Sequence, residues 1–384
     1  MVTTLAVLVL ATALQGGDRT DPTSAPRIAL GFGVDTTTAP VGDIFRMWRA
    51  FLQDRPDSLH PSPYWSRAEQ AQYRDYLLGR DYLFQGFPRQ FPSVTVLTIT
   101  PAVPGAESLY VIRTLVGGVY QPGDEVRLLG IFRVYAQRTT KGWALSNAIS
   151  RVSADWVREP IGSITFVYPP SRRLDRGRAR HSARFADSLA KAFGLPPKQL
   201  TYYVADTPEG MFRLQGLDFV PEPSQSGVGA GRADDVNGLV FSGSPVVQEG
   251  YRHEIAHVVL APLRVSTRTP WLVVEGIATW TGGLQDRSFP ALMREFAFYL
   301  KNHWSYSLDS ALTGPPPAGL DTRYATGAIL FQLAYERGGI PAVRSLFRLH
   351  ETPSAIRLGF AKALGVAPDA LDAFWRRKVL SYAR

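Results

Sequence analysis

Hydrophobic positions in the first half of the chain change period once, from helical to strand spacing. Between residues 41 and 80, apolar and aromatic residues recur at steps of three and four, which predicts helices. Ser66, followed by Glu69, offers a capping box for the second helix. From residue 93 to residue 148, runs rich in β-branched and aromatic residues alternate with Pro/Gly turns, which predicts an antiparallel meander. We therefore expect an N-terminal α+β domain over residues 41–160.

A second block of elements follows, with a different order. Short apolar runs at residues 164–168, 200–204 and 239–242 predict strands, and an arginine-rich helix lies between the first two. A helical stripe then covers residues 246–260. From residue 286 onward the pattern is almost wholly helical, and Pro341, Pro353 and Pro368 stand where a first-turn proline is tolerated. The sequence predicts an α+β domain over residues 161–285 and a helical subdomain over residues 286–384.

The predicted fold class is therefore α+β in both halves. The helices and long meander of residues 41–160 resemble the nuclear-transport-factor-like cone, which implies a curved sheet wrapped around its helices. A glycine-rich stretch at residues 227–231 lacks the Lys-Ser/Thr of a phosphate loop and indicates a flexible loop.

The N-terminus begins with an uncharged apolar run of signal-peptide length. Small residues at Ala11 and Ala13 and a polar exit at Gly16 predict a signal peptide over residues 1–17, followed by a linker at 18–40. The alternative is a buried first strand or helix. At about 14 residues, the run is short for a membrane-spanning helix. We expect an exported protein, periplasmic or extracellular, with no stable membrane span once the signal peptide is removed.

The composition restricts the possible chemistry of the protein more than it restricts the possible fold. The chain has no cysteine, which excludes disulfides, thiol nucleophiles and Cys-ligated metals. The net charge of +9 favours contact with anionic surfaces but does not indicate a nucleic-acid partner. The arginine cluster at residues 172–184 could meet an acidic partner or form a solvated helix face. A metal site must use His, Asp or Glu, and the chain has six histidines.

Two of those histidines lie four residues apart on the predicted helix at 246–260. Positions i and i+4 share one helix face, so His253 and His257 can present both imidazoles to one ion. Glu254 is rotated by about 100° from His253, since a turn takes 3.6 residues. Its carboxylate is expected beside the metal, within reach of a bound water.

A third ligand is suggested by an isolated charge. Glu275 is the only charged residue in the apolar segment 270–283, where Pro270 can start a helix and Gly282-Gly283 can end it. A lone carboxylate in such a segment is costly unless it is paired or bound to metal. A turn near residues 264–269 would fold this helix back, antiparallel to the first.

The strings H-E-I-A-H and W-L-V-V-E-G-I-A resemble the gluzincin zinc metallopeptidases of the thermolysin-like superfamily, the peptidase MA type. The resemblance implies a zincin-like domain that binds Zn²⁺ through His253, His257 and Glu275, with Glu254 as general base. Such families often carry a tyrosine after the glutamate helix that contacts the tetrahedral intermediate, and Tyr324 is our candidate. The other reading of Tyr324 is a ring packed at a helix start. The strand at 237–242 resembles the edge strand on which these peptidases lay their substrate.

We therefore expect a zinc-dependent hydrolase of peptide bonds, acting on a peptide or protein substrate by a metal-activated water. One alternative is a catalytically inactive relative that binds peptides or a partner and keeps zinc as a structural ion. In another, the N-terminal domain is an inhibitory pro-segment.

Overall fold

The computed structural model describes residues 28–53, 62–73, 93–118, 127–220, 231–264, 269–314, 317, 320–349 and 352–383. The predicted signal peptide and the predicted loop at 227–230 lie outside these residues. Contacts divide the chain into two compact units, Met1–Ala148 with Gly216–Pro221, and Ile149–Gln215 with Glu222–Arg384.

The described residues of the first unit form a sheet and two helices. Its helices are α1 (Val41–Gln53) and α2 (Arg67–Tyr73), and its consecutive strands are β1 (Ile28–Leu30), β2 (Ser93–Pro101), β3 (Leu109–Gly118), β4 (Arg127–Thr139) and β5 (Gly142–Ser146). Strand order is β1-β2-β3-β4-β5, antiparallel except for β1, which runs parallel to β2. The predicted meander is confirmed from β2 to β5, whereas β1 lies in the predicted linker. Register shifts in β2 and β3 mark bulges, which bend strands.

Aromatic packing joins α1 to this sheet. The Trp48 ring lies 6.2 Å between centroids from Phe132 on β4, and its indole Nε1 donates to Thr114 Oγ1 on β3 at 2.9 Å. Both partners of that hydrogen bond are buried. Half of the predicted capping box of α2 is present: Glu69 N donates to Ser66 Oγ at 3.2 Å, whereas Ser66 N donates to the carbonyl oxygen of Leu145 at 3.0 Å.

The second unit contains a five-stranded mixed sheet. Its strands are β6 (Val157–Ile161), β7 (Ile164–Tyr168), β8 (Leu200–Val204), β10 (Gly231–Asp234) and β11 (Leu239–Ser242), in the order β10-β11-β8-β7-β6. The inner pairs β7/β8 and β8/β11 are parallel, and the two outer pairs are antiparallel. The edge strands are therefore β10 and β6, and the predicted edge strand β11 is an inner, fully buried strand.

Helices complete the second unit. They are α3 (Ile149–Val152), α4 (Arg176–Ala192), α5 (Pro208–Leu214), α6 (Arg252–Leu260), α7 (Trp271–Gly282), α8 (Phe289–Asn302), α9 (Leu308–Thr313), α10 (Thr322–Leu346), α11 (Pro353–Leu364) and α12 (Leu371–Leu380). All of those described except α3 and α5 contribute to one apolar core. Non-helical backbone at Gly338 and Gly339 breaks α10 just before Pro341. The core cluster runs without interruption from β7 to α12.

The boundaries of the two compact units agree only in part with the predicted domain boundaries. β6 and β7 form a hairpin, so the predicted boundary at residue 160 passes through a paired strand and the second unit begins earlier, at Ile149. The short strand β9 (Leu217–Phe219) pairs with β4 and belongs to the first unit. Residues 161–285 and 286–384 lie in the same unit because their helices pack into one core.

The fold class is α+β, as predicted. Within the described ranges, every helix is too short or too polar to cross a bilayer.

Candidate metal centre

Helix α6 holds the H-E-x-x-H string inside the second unit. Ile255, Val258 and Val259 anchor it in the core, each at most 3% exposed. The helix packs against α4, β10, β11 and α7. A short 3-10 turn at Gln248–Gly250 precedes it, so the predicted continuous helix from residue 246 is interrupted before Arg252. His253 and His257 thus lie one turn apart on a buried helix.

Helix α7 brings the third predicted ligand. A Cβ at Gly282 would lie 2.6 Å from His253 N, so the end of α7 touches the start of α6, as in an antiparallel pair. A Cβ at Gly276 would lie 2.7 Å from the carbonyl carbon of Gly327, so α7 and α10 cross backbone against backbone. Glycines at both crossings fix α7, and with it Glu275, between two neighbouring helices.

Three side-chain atoms from α6 and α7 meet at one point. His253 Nε2 lies 3.0 Å from His257 Nε2 and 3.1 Å from Glu275 Oε2. His257 Nε2 lies 3.2 Å from the same carboxylate oxygen. The exposed fractions are 4%, 9% and 17% for the side chains of His253, His257 and Glu275. These three residues can hold a metal ion, and no other such group is found in the described residues.

The tautomer of His253 favours a cation at this point. Its Nδ1 lies 2.9 Å from the carbonyl oxygen of Gly283, which can only accept, so Nδ1 carries a proton and donates it. In the neutral ring, Nε2 then carries a lone pair, which faces the Glu275 carboxylate. If both imidazoles were protonated, two N–H groups would face each other across the 3.0 Å edge. A single cation satisfies all three atoms at once, whereas protonation of both Nε2 atoms leaves one N–H group facing the other.

His257 is contacted from its other side by Arg264. Arg264 Nη2 lies 3.4 Å from His257 Nδ1, and Nη1 of the same guanidinium pairs with Asp235. Arginine only donates, so Nδ1 accepts in this arrangement. An ion on Nε2 would move the ring proton to Nδ1, and Arg264 would then keep Asp235 as its partner.

The histidines and the glutamates of the site shift one another's pKa values. Burial by itself lowers the pKa of His253, but the Glu275 hydrogen bond and the charges of Glu254 and Glu275 outweigh it and raise the pKa overall. Burial by itself raises the pKa of Glu275, but His257 and His253 outweigh it and hold the pKa well below its ordinary value. His253 and Glu275 therefore each favour the charged form of the other.

Glu254 occupies the position between the two histidines on α6. It is 8% exposed, and its carboxylate has no hydrogen-bond partner among the described residues. Burial raises its pKa, and the neighbouring His253 and His257 offset only part of this effect. A buried carboxylate with a raised pKa beside a cation site is suited to accept a proton near neutral pH.

Tyr324 lies at the same site, near the start of α10. Its ring centroid is 5.9 Å from that of His253 and 4.9 Å from that of Trp271, in an edge-on contact. Burial, followed by the charges of Glu275 and Glu254, raises the pKa of its phenol. The hydroxyl therefore stays protonated and can donate.

Several neighbours of the site were not predicted from the sequence. The Gly283 carbonyl orients His253, Arg264 with Asp235 contacts His257, and the Trp271 ring contacts Tyr324. The paired glycines at 282–283 were a signal for a helix end but carried no information about a hydrogen-bond acceptor. The remaining contacts join segments that are distant in sequence and had no local signal.

Comparison with known proteins gives no relative. No protein-family model matches the chain, and no curated protein matches it. The functional argument consequently depends on the geometry of the site.

Proposed function

We propose that this protein is a zinc-dependent hydrolase of peptide bonds. The observation that carries the proposal is the convergence of His253, His257 and Glu275 on one point, with the buried Glu254 beside it. Two histidines and one carboxylate form a ligand set of catalytic zinc sites, which keep one coordination position open.

The spacing of the three atoms fits zinc. Ligands about 2.0–2.1 Å from a tetrahedral ion are about 3.3–3.4 Å apart. The observed separations of 3.0, 3.1 and 3.2 Å are slightly shorter, so the ligands need to open by only a few tenths of an ångström. The two imidazoles and the single carboxylate make a calcium site, which takes six to eight oxygen ligands, a poor fit.

The residues divide the chemistry among them. Bound zinc supplies Lewis acidity and lowers the pKa of a coordinated water to about 7. Glu254 accepts the proton of the attacking water and later delivers it to the leaving amine. Tyr324 donates its phenolic proton in a hydrogen bond to the carbonyl oxygen as negative charge develops there. His253 is held in the required tautomer by the Gly283 carbonyl.

The edge strand β10 supports a peptide as the substrate. Among the described residues, β10 is paired on one side only, to β11, and β10 contacts α6. An extended peptide can add to such an edge through main-chain hydrogen bonds. A small amide substrate, in contrast to an extended peptide, would form no such row of main-chain hydrogen bonds with this edge.

Replacement of Glu254 by Gln tests the proposal. We expect zinc content to stay stoichiometric and cleavage of a peptide library to fall below detection, because Gln cannot accept the proton. Glu209→Gln makes the same chemical change at an exposed position of α5 and should leave cleavage unchanged.

Two results would count against this function. Undiminished cleavage by Glu254→Gln would remove the general base and the mechanism with it. Stoichiometric zinc without cleavage of any peptide by the unaltered protein would support a peptide- or partner-binding module with a structural zinc.

A further inference from the structure

Two aromatic side chains extend into solvent at the C-terminal end of α8. Phe298 is 71% exposed and Trp304 is 84% exposed, and they are the two most exposed large hydrophobic side chains of the second unit's described residues. Neither ring contacts another aromatic ring there. Isolated exposed apolar residues are ordinary, but two large rings at one helix end form an apolar projection.

The turn that carries Trp304 is firmly attached to the fold. Arg376 on α12 donates to the carbonyl oxygens of Leu300 at 2.9 Å, His303 at 3.3 Å and Tyr306 at 2.8 Å. The His303 ring stacks on Tyr299 at 3.9 Å between centroids. The exposure of Trp304 therefore belongs to an anchored turn, and burying the ring needs no refolding.

Cations flank Phe298 on α8, and Trp304 follows in the turn directly after the helix. Arg294, Phe298 and Lys301 lie at steps of four and three on the exposed face of α8, so one helix face carries them together. Arg294 has no ion pair within the described residues, and the nitrogen of Lys301 contacts only the carbonyl oxygen of Ala383, at 3.5 Å. Both charges are thus available to an anionic partner.

We propose that this face, defined by Arg294, Phe298, Lys301 and Trp304, docks the protein on an anionic lipid surface. Tryptophan and phenylalanine insert at the headgroup level of a bilayer, and neighbouring lysine or arginine adds attraction to anionic headgroups. A soluble polyanion would be held by the cations and would have no use for the rings. The docking face does not involve the metal centre and stands independently of the peptidase proposal.

The test is flotation of the full-length protein with phosphatidylcholine vesicles, with and without phosphatidylglycerol. We expect binding to vesicles that contain phosphatidylglycerol, weakened by salt. Phe298→Ser with Trp304→Ser should lower the partition coefficient at least about tenfold. The control, Phe32→Ser with Leu358→Ser, removes two other exposed apolar side chains and should bind as the unaltered protein does.

The charges and the position of Trp304 have separate tests. Arg294→Gln with Lys301→Gln should weaken binding by about fivefold for each cation, whereas Arg180→Gln with Arg184→Gln, the same charge change on α4, should not. Trp304→Phe should keep binding but lose most of the blue shift of tryptophan emission that vesicles induce.

Three results would overturn the docking face. The first is vesicle binding that survives loss of both rings. The second is equal binding to soluble polyglutamate, independent of the rings. The third is self-association that depends on Phe298 and Trp304 in the absence of vesicle binding, which would make the face a contact between copies of this chain.

Discussion

The crossing of α7 and α10 offers a sharp test of how Glu275 is held. Replacing Gly276 by Ala puts a methyl group 2.7 Å from the carbonyl carbon and 2.8 Å from the Cα of Gly327. Ordinary contacts between carbon atoms are about 3.5–4.0 Å, so the two helices must separate by about 1 Å. Both obstructing atoms are backbone, so no side chain can turn away to make room.

The magnitude follows from two opposing effects. Overpacking of this kind costs about 1–3 kcal/mol, and alanine gains about 1 kcal/mol over glycine in helix propensity. We expect a net loss of up to about 2 kcal/mol, which lowers the Tm of a unit of this size by up to about 8 °C. A shift of about 1 Å in Glu275, the neighbour of Gly276, should also weaken zinc binding by at least about tenfold.

Thermal unfolding and chelator competition measure the two quantities. Gly210→Ala is the matched control, because its new Cβ would meet the nearest atom, Thr207 Oγ1, at an ordinary 3.4 Å. It should be neutral or stabilising by up to about 1 kcal/mol and should leave zinc affinity unchanged. Wild-type Tm and zinc affinity in Gly276→Ala would refute the claim that this crossing positions Glu275.

Three further predictions concern the site and the first unit. The pKa of His253 is raised in the metal-free protein, and the stability that this shift contributes is complete below about pH 6.5 and is lost as the pH rises through the raised pKa. Zinc needs the lone pair of the deprotonated ring, so zinc should bind more tightly as the pH rises. Chelator competition from about pH 5.5 to 8.5 checks this, and a flat profile would contradict it. Tyr324→Phe should retain zinc and KM while kcat falls about 10²–10³-fold, whereas an unchanged kcat in steady-state assays would assign the ring to packing. Thr114→Val leaves the buried Trp48 N–H without its hydrogen-bond acceptor and should lower the stability of the first unit by about 1–3 kcal/mol in denaturant unfolding. Zinc affinity should stay unchanged, and an unaltered stability would show that the hydrogen bond contributes nothing.

Local patterns predicted the elements whose apolar period is undisturbed. β7, β8 and β11 lie where short apolar runs place them, and the break of α10 falls where Gly338-Gly339-Ile340-Pro341 interrupts the helix. β6 was missed because Arg158, Glu159 and Pro160 hide its strand character. Six-residue α9 is too short to show a helical period.

The metal centre was predictable to the extent that its signals are local. His253 and His257 share a helix face by their spacing, and Glu275 was the one charge in an apolar helix. The second unit's start at Ile149 and the pairing of β9 with β4 depend on contacts between distant segments. The role of the Gly283 carbonyl was not predictable either, because it depends on how α6 and α7 pack.

Anomalous diffraction at the zinc absorption edge, from crystals of the zinc-loaded protein, tests the central claim most directly. We predict one strong peak, about 2.0–2.2 Å from His253 Nε2, His257 Nε2 and a carboxylate oxygen of Glu275. A peak held by other residues, or no peak among these three in crystals that contain zinc, would contradict the account.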